Sequence, residues 1–132
     1  MRSTDEVARA LYAAFLGGDA DGMLALMHED VHVRFLGQAE LRGTDQVRAF
    51  MAFVGGLLTD VRFDLRHLIV DGDVAAGVWR ETARTAAGLP WENHGVDVLH
   101  VRDGLIVGMH ENNDVRQVRA HLPAYRPGTG TG

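Results

Sequence analysis

The stretch from Trp91 to Asp114 constrains the chain most. It reads as two strands joined at Arg102-Asp103-Gly104, and it sets two acids, Asp97 and Glu111, among residues that otherwise look like core. Turn chemistry allows two registers. A two-residue turn at Asp103-Gly104 pairs Arg102 with Leu105 and sends Asp97 and Glu111 to opposite faces. A three-residue turn with Gly104 left-handed pairs Val101 with Leu105, and then one face holds Asp97, Leu99, Val101, Leu105, Val107, Met109, Glu111 and Asn113. The second register separates apolar from polar far better, so it is the expected one. Two carboxylates then share one largely apolar face.

The rest of the composition narrows the chemistry. A chain of 132 residues fits one domain with a single core. There is no Cys, which excludes disulfides, thiolate nucleophiles and thiolate metal sites. All 13 basic residues are Arg, so no side-chain amine is present for Schiff-base catalysis. A net charge of -5 without any basic stripe argues against a nucleic-acid partner. The N-terminus does not read as a secretory signal, and no apolar run approaches the roughly 20 residues that span a bilayer. A cytoplasmic protein away from membranes is expected.

Along the chain, Ser3 and Glu6 form a capping-box pattern ahead of Val7, Ala10, Leu11, Ala14 and Phe15 at helical spacing, stopped by Gly17-Gly18. Asp19 starts a short second helix. From Val31 to Phe35 the period becomes that of a strand. Thr44 is the expected N-cap of a third helix that ends at Gly55-Gly56. Val61 to Ile69, Val74 to Thr85 and the two arms of the hairpin then give four long strands. Val115 to Leu122 reads as a short helix or turn. Residues 1–122 form the expected domain, and 123–132 a loose tail. Helices first and strands after indicate an α+β domain with a mostly antiparallel sheet packed on three N-terminal helices.

In that order, the chain resembles the nuclear transport factor 2-like superfamily and, within it, the SnoaL-like proteins. The matching pieces are Tyr12-x2-Phe15-x2-Gly18-Asp19-x-Asp21, Leu26-x3-Asp30-Val31, Gly43 before the third helix, and Arg102-Asp103-Gly104-Leu105-Ile106. The resemblance implies a curved sheet wrapped around helices as a cone, a hydrophobic pocket between them, and a homodimer formed through the sheet. It places Glu111 where SnoaL-type polyketide cyclases carry a catalytic Asp. Asp97 falls where ketosteroid-isomerase-like members carry the acid facing the substrate oxyanion. The chain departs from both best-known relatives: Phe35 replaces the isomerases' proton-shuttling Asp, and Val78 and Arg80 replace the Arg and Asp of limonene-epoxide-hydrolase-like members.

Glu111 and Asp97 are therefore the candidate catalytic pair. A carboxyl in an apolar site beside a second carboxyl keeps its proton to higher pH, which suits acid and base work near neutrality. Arg80 is a candidate to orient Glu111 or hold an anionic oxygen, and Asn113 and Asn93 are candidate donors from the same face. Tyr12 offers a hydroxyl, His67 lies on the apolar side of the second strand by simple alternation, and Trp91 could wall an apolar ligand. His28-Glu29-Asp30-Val31-His32 has the His-Glu-x-x-His spacing of zinc proteases. That motif needs one continuous helix, whereas here a helix pattern gives way to a strand, so no metal and no cofactor are expected. The expected activity is proton transfer on an apolar, oxygenated small molecule such as a polyketide or terpenoid, by cyclisation, isomerisation or dehydration. A ligand-binding domain without turnover and an epoxide hydrolase are the alternatives.

Overall fold

The structure, a computed structural model, describes residues 1–126, so the Gly128-x-Gly130-x-Gly132 end of the tail lies outside the described residues. Helix α1 (Thr4–Leu16) starts at the capping box as read: the Ser3 hydroxyl accepts from the Glu6 N–H at 3.2 Å and the Glu6 carboxylate accepts from the Ser3 N–H at 3.1 Å. It buries Val7, Ala8, Leu11 and Tyr12. Helix α2 (Ala20–Ala25) is capped by Asp19, and α3 (Thr44–Gly55) buries Val47 and Phe50. Thr44 is the first helical residue rather than the N-cap, a position held by Gly43 at a φ of 82°. Few residues other than glycine adopt that φ comfortably.

The strands are β1 (Met27–Phe35), β2 (Ala39–Arg42), β3 (Leu58–Asp71), β4 (Val74–Thr85), β5 (Pro90–Arg102) and β6 (Leu105–Asn113), followed by a short helix α4 (Val115–His121). They form one curved sheet in the order β2-β1-β6-β5-β4-β3, antiparallel except for the β1 and β6 pair. β2 is a four-residue edge strand that sequence periodicity does not reveal, because Leu41 alone gives it an apolar signal. β1 begins at Met27, so His28 and His32 ride on a strand and not on a helix face. Among the described residues no helix is long and apolar enough to cross a membrane.

The β5–β6 hairpin reaches the expected outcome by a different route. Its turn is the two-residue one: Asp103 and Gly104 both have positive φ, 52° and 74°, and Arg102 pairs with Leu105. Alone, that turn would bring Gly108 and His110 to the core face. A bulge prevents it. His100 pairs with Gly108 while Val101 pairs with Ile106, which leaves Val107 as an extra residue on β6. Beyond the bulge Met109 and Glu111 face inward, and Asp97 pairs directly with Glu111. On the turn side Ile106, not Leu105, is the residue fully buried in the core.

The sheet's inner face is layered across its strands. Ala75, Leu99, Met109 and Val33 form one row, all buried, with Leu41 beyond them. The next row runs Gly77, Asp97, Glu111, Phe35, and the row after it Trp79, Gly95, Asn113. The acids thus sit one step from the apolar core. At that end Phe35 stacks on Phe50 of α3 with ring centres 4.6 Å apart. Tyr125 meets Phe50 edge-on at 5.0 Å, which ties the start of the C-terminal segment to α3.

Candidate functional site

Asp97 is only 4% exposed, yet both of its carboxylate oxygens are satisfied. The Tyr12 hydroxyl donates to Oδ2 at 2.8 Å and the Trp79 indole N–H donates to Oδ1 at 3.1 Å. Two glycines make this possible. A Cβ on Gly77 would stand 2.0 Å from the Tyr12 hydroxyl, and one on Gly95 would stand 2.7 Å from the Trp79 ring. Tyr12 and Trp79 therefore lie flat over bare backbone, and Phe63 stacks on both, with ring centres 5.8 and 5.6 Å away. Burial raises the Asp97 carboxyl to about 6, held back by those two hydrogen bonds. The same burial, together with the charge of Asp97, pushes the Tyr12 hydroxyl far above its ordinary value.

Glu111 is held differently. Its Oε1 accepts from the Asn113 amide at 2.9 Å, and that amide also donates to the Leu36 carbonyl at 3.2 Å. No tyrosine or indole reaches it. Burial raises its carboxyl to about 8; the neighbouring Asp97 adds to the rise and the Asn113 hydrogen bond opposes it. The residue is only half-buried, so protein crowds the carboxyl without sealing it from solvent. Near neutral pH, Asp97 carries the negative charge and Glu111 carries the proton.

A third acid, unmarked in the sequence reading, completes the group. Glu81 of β4 faces the same interior, with a carboxyl raised by burial. Its Oε1 accepts from the Trp91 indole at 2.9 Å. Glu81 escapes a sequence reading because β4 alternates Ala, Gly, Trp and charged residues without a clean apolar face. Gly77, Gly95 and Trp79 escape it as well, since their roles depend on cross-strand neighbours.

The other candidates separate from the acids. Arg80 is exposed and forms an ion pair with Glu92, on the sheet face opposite the acids. His67 is exposed too: Leu65 pairs with Trp79 but His67 with Val78, so a bulge at Arg66 turns the histidine to the outside. Asn93 is buried as a clamp, its Oδ1 accepting from the backbone N–H groups of His94 at 2.8 Å and Asp114 at 2.9 Å. Trp91 packs with Ala83 and Val118, which fixes α4 rather than walling a ligand. The acids, Tyr12 and Asn113 are brought together; Arg80, His67, Asn93 and Trp91 do not join them. Two surface hollows, of about 370 and 250 Å³, border α2 with α3 and the β4–β5 turn, away from the acids.

A family model for the SnoaL-like domain matches residues 8–109, most of the chain, and stops just short of Glu111. Solved structures of the same fold include a nuclear transport factor 2-like protein of unknown function from Burkholderia pseudomallei K96243. It is 21% identical over 94% of this chain and 100% of that one, with a TM-score of 0.84. A candidate SnoaL-like polyketide cyclase from Jannaschia sp. CCS1 is 19% identical over 93% of each chain, with a TM-score of 0.80. A Mycobacterium tuberculosis protein in complex with estradiol-17beta-hemisuccinate is 20% identical over 83% of this chain and 93% of that one, with a TM-score of 0.70. At these identities the likeness shows the fold. No curated protein matches the chain.

The glycine–tyrosine contact gives a direct test. Tyr12→Phe should cost about 1–3 kcal/mol by removing a donor from a buried carboxylate. Gly77→Ala should destabilise as well, and less so in the Tyr12→Phe background, where the hydroxyl it strikes is gone. Denaturant unfolding of the two single variants and the double variant measures this coupling; simple additivity would contradict the packing described.

Proposed function

The chain belongs to the SnoaL-like domain family, and on that premise we propose that it transfers protons on an apolar, oxygenated small molecule without a cofactor, with Glu111 as the catalytic residue. The observation that carries this reading is the asymmetry between the two paired acids. Asp97 is locked by Tyr12 and Trp79, whereas Glu111 keeps its proton to about 8 and remains reachable. A protonated Glu111 delivers its proton to a substrate oxygen, and the carboxylate so formed takes a proton back from carbon. One group then does both acid and base work, as cyclisation, isomerisation or dehydration of a polyketide-like or terpenoid-like compound requires. Asp97 works through Glu111 by holding its proton on, and Asn113 orients its carboxyl. An epoxide hydrolase is disfavoured by Val78 and Arg80, which face away from the acids.

Ligand binding without turnover is favoured by one observation: the second carboxyl, Asp97, has no oxygen free for a substrate. Kinetics separate the readings. Glu111→Gln should lower kcat/KM by about 10²–10⁴-fold with the fold intact. In the wild type kcat/KM should fall as pH rises through about 8, because the proton to be donated is then lost. A Glu111→Gln variant with unchanged turnover would remove the assignment.

We also propose a cytoplasmic homodimer formed through the outer sheet face, where Ala76, Val78, Val96 and Val98 present a half-buried apolar strip. Sedimentation should show a dimer that Val98→Glu converts to monomer; a monomeric wild type would refute it.

A further inference from the structure

Every donor that the protein offers to its three interior acids is neutral. They are the Tyr12 hydroxyl, the Trp79 and Trp91 indoles, and the Asn113 amide. The influences acting on Asp97, Glu111 and Glu81 include no cationic side chain, only burial, hydrogen bonds and one another. A second observation concerns Asn113 itself. Its amide nitrogen is spent on Glu111 and the Leu36 carbonyl, which fixes the side-chain orientation. Its Oδ1 is then buried with no hydrogen-bond partner. A buried acceptor left empty costs about 1–3 kcal/mol, so its retention beside Glu111 asks for a donor from outside the chain.

We infer that the ligand of this site carries a protonated nitrogen, whose N–H groups are shared between the Glu111 carboxylate and the Asn113 Oδ1. This rests on the proton-transfer reading only in using the same Glu111 carboxyl. An ammonium group supplies both missing features at once, donors and positive charge. A hydroxyl supplies a donor alone and leaves the three acids uncompensated. On binding, the ammonium replaces the proton of Glu111, which passes to solvent, and a charge-assisted hydrogen bond forms in a poorly solvated place. The Phe35 ring, beside Glu111 in the β1–β6 register, offers an apolar surface to the carbon next to the nitrogen. Arg80, exposed and paired with Glu92, is on the opposite face and leaves the charge balance within the site unchanged.

The test compares benzylamine with benzyl alcohol, near-isosteres that differ in charge, by titration calorimetry of the full chain near neutral pH. Benzylamine should bind about tenfold or more tightly than the alcohol. Its binding should release a proton, seen as a heat that varies with the ionisation enthalpy of the buffer. Glu111→Gln should abolish both the preference and the proton release, while Asn113→Leu should weaken the amine more than the alcohol. Equal or tighter binding of the alcohol, or no saturable amine binding up to about 10 mM, would overturn the inference. Failure here is distinguishable from failure of the proton-transfer reading: an uncharged ligand preference leaves the high Glu111 pKa and its pH–rate profile in place, whereas an ordinary Glu111 pKa removes that reading whichever probe binds.

Discussion

Two carboxyls set directly opposite each other across a pair of strands, away from bulk water, cannot both ionise at low cost. That constraint organises the site. The structure resolves it by unequal support: Tyr12 and Trp79 both donate to Asp97, while Glu111 receives one amide hydrogen bond. The charge settles on the better-supported group and the proton on the other. The same arrangement bears on stability. Both carboxyls keep their protons to higher pH in the folded chain than in the unfolded one, so the folded state holds extra protons between the ordinary carboxylate range and about 8. Stability is therefore greatest at the acid end of that window and declines as pH rises through it. A group kept for catalysis at such a cost is a common pattern at functional sites.

Much of the fold could be read from residue patterns, because its helices and long strands are strongly periodic. The capping box at Ser3 and Glu6, the Gly stops, and the Val74–Thr85 strand appear where the pattern puts them. Irregularities were less visible. Alternation assumes an unbroken strand, and two bulges violate it with opposite consequences. The bulge at Arg66 moved His67 outward, away from the apolar face it was expected to share. The bulge at Val107 moved Glu111 inward, so that the shared face of the two acids was correct although the turn proposed to create it was not. A bulge is chosen by what the whole face gains, here burial of Met109 instead of His110, and no local pattern records that choice.

The candidate site divides in the same way. Asp97 and Glu111 stood out because acids in an apolar run are conspicuous. Gly77, Gly95 and Trp79 did not, since their contribution is the space or the donor they provide to a partner one or two strands away. Arg80 and Glu81, adjacent in sequence, exchanged importance once the facing of β4 was known: the arginine pairs outside with Glu92 and the glutamate joins the interior acids. Membership of the SnoaL-like family accounts for the scaffold. The chemistry rests on this chain's own rows of side chains, because the match to the family ends before Glu111.

Carbon-detected NMR titration of the Asp97 and Glu111 carboxyls in the ligand-free protein tests this division of charge most directly. Glu111 should titrate near about 8 and Asp97 near about 6, each curve bearing the imprint of the other. Two curves with midpoints near about 4, the ordinary range for a carboxyl, would contradict it.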